Sequence, residues 1–194
     1  MQASEKQILE ELLGNIEPVG KFIASLYQET DRGCVLIAAA FLDDALSELL
    51  KKNLIKDKKV LNRLFESNQA FGDFSSKIDI TYALGLISKN VCQNLHLIRK
   101  IRNDFAHISD PIGFEHPPIK SRCNELTLHT YESNVKPRRI FTRVVSSILA
   151  VLHVEKVISS HPNIKKDLMI KPEFKKKFEK LLAEVEKLVK SSVK

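Results

Sequence analysis

Apolar residues recur every three or four positions along most of this chain, which is the spacing of one helix face. No segment alternates apolar and polar residues as a half-buried strand would. We therefore predict an all-α fold, a helical bundle of about seven to nine helices. The strongest pattern in the first half covers residues 32–53, and its core side carries Val35, Ala38, Ala39, Leu42, Ala45, Leu46 and Leu49.

Short polar residues and prolines mark where helices begin, because they satisfy or tolerate the free N–H groups of the first turn. The predicted caps are Asp31, Asp57, Asp73 or Ser75, and Ser88, and the predicted proline starts are Pro117–Pro118, Pro137 and Pro172. A first helix precedes Gly14, and a second covers residues 19–27. Between Asp57 and Ser88, Phe71 and Phe74 flank a glycine and are predicted to anchor a loop to the core.

The spacing of apolar residues over 95–107 predicts a helix with one apolar and one polar side, around which the rest of the chain is organised. Its apolar side consists of Cys92, Leu95, Ile98, Ile101 and Phe105. Its polar side carries Arg99, Lys100, Arg102, Asn103 and His107. Because the residue before a proline disfavours helix, the helix ends near Pro111 and His107 lies in the last turn. We expect chemistry only at this helix end.

The formal net charge of +7 is concentrated at the carboxyl end. Residues 161–194 contain ten lysines and five acidic residues. We therefore predict a helical domain over residues 1–160, and a basic amphipathic C-terminal helix over 161–194 that packs on it or extends from it. The lysines of such a helix more often solvate an outer face than bind a membrane or nucleic acid.

Cysteine and histidine positions favour neither disulfides nor a metal. Cys34, Cys92 and Cys123 are odd in number and far apart, as expected for reduced core thiols in a cytoplasmic protein. We identify no second ligand at a metal-binding spacing for His96, His116, His129, His153 or His161, so we expect no metal and no other cofactor. The longest apolar run, residues 34–42, is too short to span a membrane. A phosphate-binding glycine loop and a helix-turn-helix are also absent from the sequence.

Arg102, Asn103 and His107 are the candidate catalytic residues. Arginine offers a planar fork for phosphate, and histidine transfers protons near neutral pH, so the set could cleave RNA through its own 2′-hydroxyl without a metal. Arg102 is turned roughly 140° from His107, so both can serve one site only at a frayed helix end or across two subunits. A structural alternative is that Arg102 pairs with a carboxylate and His107 caps the helix. Arg122 and His129 also fit the loose spacing but lack the polar neighbour.

Several ordered blocks resemble the mannitol operon repressor (MltR) family over residues 34–126. The blocks are FLDDALSELL (41–50), LF (64–65), FGDFSSKI (71–78), YALGLI (82–87) and LIRKIRNDFAH (97–107). The resemblance implies an all-helical regulatory protein that lacks a recognisable DNA-binding domain. Repression through a protein partner would fit the missing recognition helix.

The pattern Arg102-Asn103-x-x-x-His107 also resembles the active-site motif of HEPN domains. These are helical, usually dimeric proteins, and many are metal-independent endoribonucleases of toxin–antitoxin or defence systems. The resemblance implies that Arg102 stabilises the phosphorane, that His107 acts on the 2′-hydroxyl or the leaving oxygen, and that Asn103 orients one of them. The site would then form across a dimer interface.

Three hypotheses follow. The first is a dimeric regulator of the mannitol-repressor type that contacts a regulatory protein or nucleic acid. The second is a HEPN-type ribonuclease, which requires Arg102 and His107 to face a cleft. The third is a non-catalytic interaction scaffold, which requires both side chains to be buried. We expect a homodimer, with no membrane span and no small-molecule cofactor.

Overall fold

The computed structural model describes residues 16–108, 110–128 and 135–162. These residues form seven helices and no strand, which confirms the all-α prediction. The helices are α1 (Ile16–Leu26), α2 (Asp31–Asn53), α3 (Lys58–Phe65), α4 (Phe74–Ala83), α5 (Lys89–His107), α6 (Pro117–Glu125) and α7 (Pro137–Ile158).

Helix α2 lies at the centre and packs against α1, α4, α5 and α7. The predicted core side of α2 is buried except for Ala45, which is partly exposed. Val35, Ala38, Leu42, Leu46 and Leu49 are fully inaccessible to solvent. The small side chain of Ala38 lets neighbouring helices approach closely. The apolar side of α5 belongs to the same core, so α5 has one buried and one polar side as predicted.

Two predicted caps are confirmed. The Asp57 carboxylate accepts from the backbone N–H groups of Lys59 and Val60, and the Asp73 carboxylate accepts from that of Ser76. Ser88 stands at the start of α5 but makes no side-chain cap bond; its hydroxyl donates to the Asn90 side chain instead.

The Asp31 cap is wrong. Thr30 caps α2 and accepts from the Gly33 N–H, while Asp31 is the first helical residue. The Asp31 carboxylate instead accepts from the Arg138 guanidinium and from the backbone N–H of Phe114. Contacts with residues 83 and 107 positions away outweighed the local cap, and the sequence pattern does not reveal them.

The loop before α4 is anchored as predicted. Phe71 and Phe74 are both buried, and the Phe71 ring contacts that of Phe65. Gly72 lies so close to the backbone that a Cβ at this position would come within 2.5 Å of the Glu66 carbonyl oxygen. Only glycine fits there without moving the chain.

The predicted helix before Gly14 and the predicted helix after Pro172 lie outside the described residues, and so does most of the basic 161–194 segment. All described residues belong to one compact unit that ends at Pro162. Among the described residues, no helix is both long enough and apolar enough to cross a membrane.

Candidate functional site

The carboxyl end of α5 is held by a long-range contact. Helix α5 ends at His107, and the Arg32 guanidinium, at the start of α2, donates to the carbonyls of Ile108 and Asp110 at 2.7 and 2.9 Å. A cation at this position complements the partial negative charge of the helix end. Arg32 therefore fixes the direction in which the chain leaves α5, directly beside His107.

Arg102 and Asn103 contact each other on the polar side of α5. The Arg102 guanidinium donates to the Asn103 side-chain oxygen at 3.1 Å, and both side chains are half-buried. Among the described residues, Arg102 has no carboxylate partner. The amide therefore orients the guanidinium without neutralising its charge.

His107 is exposed and makes no hydrogen bond within the described residues. The burial that the scaffold hypothesis requires is therefore not observed for this side chain. Because α5 is helical through His107, the rotation of about 140° between Arg102 and His107 remains. One chain does not bring the two side chains onto one face.

Asp104, the residue that follows Asn103 in the motif segment, has a partner on another helix. Its carboxylate accepts from the guanidinium of Arg122 on α6, and both side chains are partly exposed. Arg122, which belongs to the second loose match to the motif, therefore pairs with a residue inside the first match. His129, the other residue of the second match, lies outside the described residues. Sequence reasoning missed this pair because α5 and α6 are separated by an irregular loop.

A second group of chemically active side chains lies nearer the start of α5. The ligand atoms of Asp79, Cys92 and His96 all lie within 4.8 Å of one another. The Asp79 Oδ1 to His96 Nε2 distance is 2.9 Å. Burial, and then the negative charge of Asp79, raise the pKa of the Cys92 thiol.

The expectation that no histidine has a ligand partner was therefore wrong. Cys92 and His96 are four residues apart on one helix, so they share a face. That spacing is visible in the sequence. Asp79 is 17 positions from His96 and joins them only because α4 packs against α5.

A groove of about 370 Å³ borders the same part of α5. Its lining residues are Gln93, Asn94, His96, Leu97, Lys100, Glu125 and Thr127. The buried Asn94 amide fixes one wall, because it donates to the Thr127 hydroxyl and accepts from the Thr127 N–H, each at 2.9 Å. The groove therefore has a rigid polar wall, with Lys100 and Glu125 among its lining residues.

The other two cysteines are isolated core thiols. Cys34 and Cys123 are free and completely buried, as predicted. Burial raises the pKa of Cys34 to about 11 and that of Cys123 to about 12. Neither thiol is activated for nucleophilic chemistry.

No protein-family model and no curated protein matches this chain. Among solved structures, the chain is similar to one in the X-ray structure of the MtlR–HPr complex from Escherichia coli, with a TM-score of 0.50 and 18% sequence identity. The match covers 71% of this chain and 94% of the matched chain. At this identity the likeness concerns the fold, which agrees with the helical fold that the sequence resemblance implied.

Proposed function

We propose that this protein is a regulator of the mannitol-repressor type that acts by binding a protein partner. The observation that carries the proposal is the fold likeness to a structure in which MtlR is in complex with the protein HPr. The sequence has no helix-turn-helix with which to read DNA. Regulation through a protein partner does not need one.

The polar side of α5 is the proposed contact surface. Lys100 and His107 are exposed, and the half-buried Arg102 has no carboxylate partner among the described residues. An acidic or phosphorylated partner surface would supply the missing counter-charges, and the planar guanidinium of Arg102 would bind it by paired hydrogen bonds. Arg32 already holds the end of α5, so this segment would lose little conformational freedom when a partner binds.

The direct test is calorimetric titration of the purified protein with HPr from its own organism. We expect saturable binding, and binding at least tenfold weaker in Arg102→Ala, a loss of about 1.4 kcal/mol. Arg63→Ala is the matched control, because Arg63 is an exposed arginine on α3. Absence of saturable binding, or equal weakening by both variants, would refute this partner surface.

A metal-independent HEPN-type ribonuclease is the second candidate. It is favoured by the exposure of His107 and by the lack of a carboxylate partner for Arg102 among the described residues, because a purely structural role would bury His107 and pair Arg102 with a carboxylate. The rotation between them requires a homodimer, in which Arg102 of one subunit would face His107 of the other.

Incubation with mixed RNA in EDTA distinguishes the two candidates. Cleavage by the wild type and none by His107→Ala, with equal helical circular dichroism, would support the ribonuclease. Cleavage that persists in His107→Ala would mean a contaminant. Sedimentation equilibrium tests the dimer separately, and a monomer at micromolar concentration would exclude a shared active site.

A further inference from the structure

We propose that Asp79, Cys92 and His96 form a binding site for a divalent transition-metal ion of the zinc class. The three ligand atoms lie within 4.8 Å of one another. Cys92 and His96 come from successive turns of α5, and Asp79 comes from α4. A bound ion would therefore join two neighbouring helices.

The donor set selects the kind of metal. A thiolate sulfur, an imidazole nitrogen and a carboxylate oxygen suit Zn²⁺ or Co²⁺, whereas Mg²⁺ and Ca²⁺ prefer oxygen ligands alone. Together the carboxylate and the thiolate cancel the charge of a divalent ion. The occupied site would therefore place no net charge against the core that surrounds Cys92.

The spacing fits tetrahedral coordination after small side-chain rotations. Bond lengths of about 2.0 Å to nitrogen and oxygen and about 2.3 Å to sulfur place tetrahedral ligand atoms about 3.3–3.6 Å apart. The Asp79 Oδ1 to His96 Nε2 distance is 2.9 Å, so these two atoms must separate by only a few tenths of an ångström. All three pairs are within 4.8 Å, so the sulfur must approach each of the other two ligand atoms by at most about 1.3 Å.

Solvent reaches the site from the side of Asp79. The Asp79 side chain is 64% exposed and that of His96 is 27% exposed, while Cys92 is 8% exposed. On binding, the Cys92 S–H bond breaks, the proton passes to solvent, and the sulfur electron pair forms the bond to the metal. With three protein ligands, a fourth position remains for water.

This site is separate from the polar end of α5. His96 and His107 are eleven residues apart on one helix, a separation of about 16 Å along the axis. The metal would strengthen the contact between α4 and α5 and would take no part in binding a phosphate at Arg102. Loss of metal binding and loss of partner binding can therefore be measured independently.

Cobalt substitution tests the site in the full-length, reduced protein. We expect one Co²⁺ per chain, with the visible bands of tetrahedral cobalt and a near-ultraviolet thiolate-to-cobalt band. Cys92→Ser should abolish the thiolate band, and Asp79→Asn and His96→Gln should each weaken binding at least tenfold. Cys123→Ala and His161→Gln are the matched controls and should bind cobalt as the wild type does.

Zinc-dependent thermal stability provides the second readout. Zinc should raise the Tm of the wild type and of both controls by more than it raises that of Asp79→Asn, whose exposed side chain can be changed without disturbing the core. Absence of a thiolate band in the wild type, or its persistence in Cys92→Ser, would overturn the proposal. Equal zinc stabilisation of the wild type and Asp79→Asn would also overturn it.

Discussion

We expect the stability of the described helical unit to depend strongly on Arg138. Its guanidinium, at the start of α7, contacts the Asp31 carboxylate at 2.7 Å and also donates to the backbone carbonyls of Leu26 and Glu29. The same carboxylate accepts from the Phe114 N–H at 3.0 Å. One side chain thus connects α7, the end of α1 and the start of α2, and through Asp31 it reaches the loop that follows α5.

We expect Arg138→Met to reduce the free energy of unfolding by about 3 kcal/mol. The ion pair is about one-third exposed on both sides, so solvent screening limits it to about 1 kcal/mol. Each carbonyl that loses a charged donor adds about 1 kcal/mol. Methionine retains much of the aliphatic packing, so the loss reports mainly on the hydrogen bonds.

Urea unfolding followed by circular dichroism measures this loss. With a slope of about 2 kcal/mol/M, the midpoint should fall by about 1.5 M at unchanged slope. Arg63→Met, at an exposed arginine of α3, should stay within about 0.5 kcal/mol of the wild type. A loss in Arg138→Met no larger than that of the control would refute the reasoning.

Three further predictions concern other polar and thiol groups. Lys77 is 8% exposed and pairs with Asp43 at 2.8 Å, so Lys77→Met should cost about 2 kcal/mol in a urea titration, and adding Asp43→Asn should recover part of it. Asp73→Ala should cost about 1 kcal/mol at pH 7 through loss of the cap. Hydrogen bonds from Ser76 lower the pKa of Asp73 below its ordinary value of 3.8. The stability difference between the wild type and Asp73→Ala should therefore be complete above pH 3.8 and shrink as the pH falls through the lowered pKa. A difference that does not change with pH would contradict the role of the Asp73 carboxylate as the cap. Cys34 and Cys123 should resist a disulfide-exchange reagent at pH 8 until the protein is unfolded, because burial raises their pKa values.

Interactions within a few residues determined which segments are helical. The 3.6-residue period identified α2, α5 and α7, and Asp57 and Asp73 were recognisable as caps because they bond to N–H groups two or three residues away. Proline at the first turn likewise marked the starts of α6 and α7. The separation of α5 into a buried and a polar side follows from the same period, and so does the grouping of Arg102, Asn103 and His107 near its end.

The tertiary structure decided which distant groups meet. Asp31 is a residue type that commonly caps helices, but packing of α7 against α2 brings Arg138 to its carboxylate. The charged partner outweighs a cap bond to the backbone, and Thr30 makes the cap bond in its place. Packing of α4 on α5 brought Asp79 to His96, and packing of α6 on α5 brought Arg122 to Asp104. Local periodicity specifies the face on which a side chain lies, whereas its partner depends on how whole helices dock, and that is decided by burial of the shared core.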